Sequence, residues 1–227
     1  MKALLVTGTD TNVGKTVFTS TLIAYWLNYY PNQPLGLMKL MQTGFGDREL
    51  YNDLFGTHQS IEIVTPLKFT APLAPPIAAQ KEGKIVDLKT VWQAFCSLIQ
   101  NKDFMIVEAL GGLGSPVTDE LTVADLAGEW RLNTVLVVPV QLGAIGAAVA
   151  NVALARQAKI NLKGIVLNCV QPTTAEEITD LTPIDLIQSL THIPVLGVVP
   201  HFSEPHDLAK LTQVAAQYDL EVLFNKI

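Results

Sequence analysis

The chain has 227 residues, 49% of them hydrophobic and 16% charged, with 15 Lys+Arg against 21 Asp+Glu. So little charge with so much apolar side chain excludes disorder and a solvated coiled coil, and a net charge of −6 argues against a nucleic-acid or anionic-membrane surface. The length fits one large domain or two small ones, and with no internal repeat or linker-like boundary it reads as a single domain over 1–227. The two cysteines, Cys96 and Cys169, are too few to staple it, which points to a reducing compartment.

Residues 2–7 are the first predicted strand, whose apolar run is shorter than the roughly 7–15 residues of a secretory core. Thr7-Gly8-Thr9-Asp10-Thr11-Asn12-Val13-Gly14-Lys15-Thr16 follows and opens a helix over 14–29. Such a loop presents backbone N–H groups and a helix N-terminus to an anion. Lys15 then reaches the outer phosphates and the Thr16 hydroxyl a magnesium ion. Gly8 and Gly14 enclose five residues, one more than the usual phosphate loop, so Thr9 stands where its first glycine would.

The second strand, 35–39, ends on Lys39, and Gln42-Thr43-Gly44 comes next. That lysine either faces the transferring phosphate or snorkels to solvent, and Thr43 can donate to a substrate. Asp53, taken alone, reads as a solvated helix-start carboxylate. The Pro-rich stretch 66–76 is the largest loop, a rim or a lid. After a helix over 87–100, the strand 104–109 carries Glu108 at its end. A carboxylate closing an apolar strand is costly unless paired or metal-bound. Sharing a magnesium with Thr16 satisfies that requirement, and pairing with Lys15 or Lys39 without metal is the alternative.

A helix over 121–130 precedes a stretch with no charge between Arg131 and Arg156, long enough to span a bilayer. Pro139, Gln141, Gly143, Gly146 and Asn151 interrupt it, and 134–140 is β-branched. It reads instead as a buried strand, a turn and a helix over 143–157. The bare backbone from Gln141 to Gly146 suits an anion, such as a carboxylate, or tight packing. Strand 164–169 ends on Asn168 and Cys169, and the Asn168 amide either meets a base edge or caps the turn before Pro172. A helix over 175–190, a strand over 195–199 and a helix over 205–217 complete the chain. His201 follows the last strand, where a base pocket would close, whereas His58, His192 and His206 have no metal-ligand spacing.

This alternation predicts a three-layer α/β fold: a mostly parallel central sheet with helices on both faces, of the phosphate-loop kind, binding ligands at the carboxyl ends of its strands. Asn101-Lys102-Asp103 misses the guanine-reading register by one residue. An arginine-bearing kinase lid is hard to build from Arg48, Arg131 and Arg156, and residues 9–13 lack the second lysine of partition-type ATPases.

The loop word from Gly8 to Thr16 resembles that of the dethiobiotin synthetases. The resemblance continues in chain order through Lys39 with Thr43-Gly44, Asp53, the run from Ala71 to Ala79, Glu108 with Gly111-Gly112, the helix start at Gln141–Gly146, and Asn168. It implies an ATP- and magnesium-dependent ligase. In that family 7,8-diaminononanoate takes up carbon dioxide as a carbamate, which attacks the γ-phosphate to give a carbamic-phosphoric anhydride. The second amine then closes the cyclic urea of dethiobiotin.

The resemblance further implies catalytic roles for Lys15, Lys39 and Thr11, and a metal held by Thr16, Asp53 and Glu108. It implies nucleotide contacts from Asn12, Val13, Gly14 and Val17, and from Ala109, Leu110 and Gly111. Asn168, Cys169, Pro200, His201 and Phe202 would border adenine, while Thr43 with Ala144, Ile145 and Gly146 would bind the diamine acid. The resemblance implies a homodimer with its substrate site near the subunit interface, while charge and the reading of the stretch between Arg131 and Arg156 point to a cytoplasmic protein with no nucleic-acid or membrane partner. Three residues depart from the family pattern. Ala109 replaces a glycine and is strained if its φ is positive; Leu40 replaces a proline, and Asn12 a common glutamate. The competing readings are a non-catalytic nucleotide-binding regulatory module and an amidotransferase of the cobyrinate-diamide kind, for whose glutaminase domain the chain leaves no room.

Overall fold

The computed structural model describes residues 2–203 and 206–224. It begins with β1 (Ala3–Gly8), α1 (Lys15–Tyr29), β2 (Leu35–Lys39), β3 (Gln42–Thr43), α2 (Asp47–Phe55), β4 (Ile61–Val64) and β5 (Lys68–Phe69). It continues with α3 (Pro75–Lys81), α4 (Leu88–Asn101), β6 (Phe104–Gly112), α5 (Val123–Glu129), β7 (Asn133–Pro139) and α6 (Ala144–Gln157). The chain closes with β8 (Asn161–Asn168), α7 (Ala175–Leu181), α8 (Ile184–Thr191), β9 (Val195–Val199), α9 (Leu208–Ala215) and α10 (Glu221–Phe224).

Seven of the strands form one sheet in the order β4-β2-β6-β1-β7-β8-β9, every pair parallel. Both faces are covered, which is why its strands are continuously apolar. Leu4 and Val6 of β1 pack with Phe18, Leu22 and Trp26 of α1, whereas Ala3 and Leu5 face Val91 and Phe95 of α4 and Ala124 of α5. On the β7 side, Leu136 and Val138 meet Ala148 and Val152 of α6 and Ile187 of α8.

The expected three-layer sheet is therefore present, with local differences. The helix expected over 175–190 is two, because Pro183 cannot sit inside a helix and instead caps α8. The expected helix start at Pro205 lies outside the described residues; α9 begins at Leu208 after Asp207, whose carboxylate accepts from the Lys210 amide at 3.0 Å. The stretch 66–76 is not an open loop: β5 lies within it, and Pro75 and Pro76 open the first turn of α3. Four-residue β4, an edge strand, and the short helix α2 were too brief to stand out as periodic patterns. The charge-free stretch is β7, a turn and α6, and among the described residues no helix is long and apolar enough to cross a membrane.

Register decides what meets at the carboxyl edge. Lys39 of β2 and Val6 of β1 are both register partners of Glu108 on the intervening β6. The phosphate loop leaves β1 directly beside them, its start tied to β7 by a hydrogen bond from Thr9 N to Val137 O at 3.0 Å.

Candidate active site

A cleft of about 850 Å³ opens at the carboxyl ends of β1, β2, β6, β8 and β9, within the range of small-molecule sites. The loop from Gly8 to Lys15 is shaped by glycine. Gly14 lies at φ 96, and a Cβ there would sit 2.0 Å from Asn168 Nδ2. The same Asn168 Nδ2 donates to the Val13 carbonyl at 3.0 Å, so this amide braces the phosphate loop, a use distinct from both expected ones. Lys15 folds back over the loop, its Nζ donating to the Asp10 carbonyl at 2.9 Å.

Around Glu108 the side chains form a closed network. Glu108 is fully buried, and its Oε1 accepts from Lys39 Nζ at 2.6 Å. The Thr16 hydroxyl lies 3.1 Å from that oxygen and 2.9 Å from Asp47 Oδ1. Lys39 Nζ also donates to Asp47 Oδ2 at 2.5 Å and reaches the Ala109 carbonyl at 3.4 Å. The remaining Glu108 oxygen, Oε2, accepts from the hydroxyl of Tyr51, itself buried. Every polar atom of this buried carboxylate is thereby satisfied.

The charges follow from the packing. Burial opposes the charge on Lys39, but Glu108 and Asp47 outweigh it and hold the ammonium above its ordinary value. Burial pulls Lys15 below its ordinary value despite Glu108. The Asp47 carboxyl is pushed up by burial and pulled down further by Lys39 and Thr16, ending below the usual carboxylate range. Full burial pushes Glu108 up against the pull of Lys39.

Asp53 does not join this network, which corrects its expected role. Its carboxylate is mostly exposed and faces His206 Nε2 at 3.3 Å. Six residues after Asp47, it lies about 240° around α2 at 100° per residue, on another face. Asp47 and Tyr51 are four residues apart and share the face that looks at Glu108. The start of α2 is set by Glu49, whose Oε2 accepts from the Gly46 amide at 2.9 Å and from Gln42 Nε2 at 2.8 Å, while Gln42 Oε1 accepts from the Arg48 amide at 2.9 Å. The signal for Asp47 was present in the sequence: an acidic residue at a helix start directly after Gly44-Phe45-Gly46.

Thr11, Asn12, Gly14, Lys15, Thr16 and Val17 line the cleft, as do Lys39 and Thr43. Leu110 and Gly111 line it too, as do Asn168 and Cys169 at the end of β8 and, beside them after β9, Pro200, His201 and Phe202. Besides Asp53 and the fully buried Glu108, three groups of expected contacts are not on its wall. The Val13 side chain is buried in the core beneath the loop. Ala109 is buried within β6 and is not among the positive-φ residues, so it carries no strain; the left-handed position is Gly111, at φ 50. Ala144, Ile145 and Gly146 belong to the start of α6, outside the cleft, where Leu142 beside them is 90% exposed.

Among the described residues, no group of three His, Cys, Asp or Glu side chains forms a metal cage. The set at hand, a threonine hydroxyl and two carboxylates, is all hard oxygen and suits magnesium, which takes few protein ligands beside phosphate. A cation, the Lys39 ammonium, is already seated between the two carboxylates.

A family model described as an AAA domain matches residues 2–206. The chain is 64% identical to the ATP-dependent dethiobiotin synthetase BioD of Gloeothece citriformis, over 98% of this chain and 99% of that one. It is 56% identical to the enzyme of the same name from Synechocystis sp., over 98% and 94%. In fold it is similar to a ParA family ATPase from Chlorobium tepidum, with a TM-score of 0.60 at 13% identity over 98% and 97% of the two chains.

Proposed function

Because the chain belongs to the ATP-dependent dethiobiotin synthetase family, we propose that its cleft converts 7,8-diaminononanoate, carbon dioxide and ATP into the cyclic urea dethiobiotin, ADP and phosphate. The observation that carries this reading is the meeting of Lys39, Glu108, Asp47 and Thr16 at the mouth of the phosphate loop.

The chemistry brings an anionic carbamate against an anionic γ-phosphate, so positive charge around the transferring group is the main requirement. Lys15 and Lys39 supply it from the chain. Thr16, Asp47 and Glu108 would hold magnesium, which when bound would add charge neutralisation at the phosphoryl oxygens. Lys39, seated between Asp47 and Glu108 on the cleft wall, is placed to face the carbamate and the γ-phosphate. Loop amides and the α1 N-terminus bind the outer phosphates, with Thr11 of the loop beside Gly111 on the cleft wall. Asn168 keeps its Oδ1 as an acceptor toward the base, beside Cys169 and the segment from Pro200 to Phe202. Thr43 orients the diamine.

We assign the start of α6, Ala144 to Gly146, to the substrate carboxylate at an interface with a second copy. The helix N-terminus there and the exposed Leu142 and Val149 support a homodimer through this face. One domain and a cytoplasmic setting complete the reading, supported by a seven-stranded sheet whose strands run from Ala3 to Val199 and by the unbridged Cys96 and Cys169.

The test is ADP release with diaminononanoate, bicarbonate and magnesium each omitted in turn. Release that needs all three, with dethiobiotin formed, is the expected result. ATP binding with no diamine-dependent release would make the protein a non-catalytic nucleotide module instead.

A further inference from the structure

Tyr51 is a buried phenol whose hydroxyl is spent on a single acceptor, Glu108 Oε2. The other oxygen of that carboxylate, Oε1, is the one turned toward Thr16 and Lys39. Tyr51 sits one helical turn after Asp47, so a single stretch of α2 delivers both the second carboxylate and the group that restrains the first. A carboxylate with one oxygen committed to a buried donor presents only the other. Magnesium demands compact octahedral geometry with single-oxygen contacts, whereas calcium accepts a carboxylate through both oxygens in a larger shell.

We infer that Tyr51 is a positioning residue that sets the metal selectivity of the site, holding Glu108 to one oxygen and so favouring magnesium over calcium. This rests on the assignment of Thr16, Asp47 and Glu108 to the metal. Tyr51→Phe keeps the ring and removes the hydrogen bond, freeing Glu108 to rotate both oxygens toward the ion.

The experiment follows water-proton relaxation of the protein–ATP–Mn²⁺ complex and measures the Mg²⁺ and Ca²⁺ concentrations that displace half the Mn²⁺. Loss of such an outer partner typically weakens metal binding by about tenfold or more. With Mg²⁺ weakened by that factor and Ca²⁺, which gains the second oxygen, not weakened, the ratio of the Ca²⁺ to the Mg²⁺ midpoint is expected to fall by about tenfold in Tyr51→Phe. A ratio equal to that of the parent overturns the inference, because a merely structural role weakens both cations alike. Should Tyr51→Phe fail to fold, Tyr51→Met carries the same readout with the same two outcomes. A parent chain showing no relaxation enhancement overturns the metal assignment itself, and this inference with it.

Discussion

Replacing Lys39 with methionine keeps an unbranched stem and removes the ammonium that stands between Glu108 and Asp47. The two carboxylates respond differently. Asp47 is 40% exposed and recovers hydration when it loses its 2.5 Å partner. Glu108, with no exposure, loses a 2.6 Å partner and has no water to turn to. Removing one member of a buried pair costs about 3–5 kcal/mol. Tyr51 and Thr16 still donate to Glu108, and its carboxyl, pushed up by burial, can take a proton, so the lower end, about 3 kcal/mol, is expected. For a chain of this size that lowers Tm by roughly 6–12 °C.

The assay is calorimetry and urea unfolding without nucleotide, followed by the fluorescence of Trp26, Trp92 and Trp130. Lys39 is held above its ordinary value of 10.5, so its contribution is fully present below that pH and is lost only as pH rises through the folded value. A comparison near neutral pH captures all of it. The double variant Lys39→Met/Glu108→Gln is expected to recover most of the loss, because both buried charges are gone. Magnesium is expected to restore part of the single variant's stability, taking the place of the lost cation. Turnover falls by about 10²–10³-fold, while ATP binding, which rests on the loop backbone, persists. A Lys39→Met chain that unfolds at the parent midpoint would refute the reasoning, for Glu108 would then not depend on the ammonium.

Three further outcomes are expected. Asp47→Asn raises the magnesium concentration needed for ADP release by about tenfold or more, whereas Asp53→Asn leaves that titration unchanged; the reverse pattern would restore Asp53 to the site. Gly14→Ala adds a methyl 2.0 Å from Asn168 Nδ2 at φ 96, costing about 1–2 kcal/mol of backbone strain and more than tenfold in ATP affinity by calorimetric titration, only part of which Asn168→Ala recovers. Asp125, held below the ordinary carboxylate value by the Thr122 hydroxyl and amide, contributes stability that is present above the ordinary value of 3.8 and is lost as pH falls through the lowered one. Asp125→Asn is accordingly expected to flatten the acid limb of a plot of Tm against pH.

Much of this protein is legible residue by residue along the chain. The phosphate loop is a local pattern, strand then glycine loop then helix, so Gly14, Lys15 and Thr16 are recognisable without any long-range information. The central strands declare themselves through burial on both faces, and that alternation with helices implies ligands at the carboxyl edge. Lys39 and Glu108 stand out for a thermodynamic reason: a charge ending an apolar strand must find a partner.

What one-dimensional information does not contain is which distant groups become neighbours, and around α2 that decides the site. Asp47 and Asp53 are both acidic residues on one short helix, and composition alone does not rank them. Only the docking of α2 against β6 turns the Asp47–Tyr51 face toward Glu108 and leaves Asp53 in solvent beside His206. The bracing of the loop by Asn168 and the harmlessness of Ala109 belong to the same class. Sheet register and helix rotation are collective outcomes of packing, since a one-residue slip or a quarter-turn exchanges inner for outer side chains at every position. Local chemistry names the reactive groups of this protein; the packed fold selects which of them share a cation.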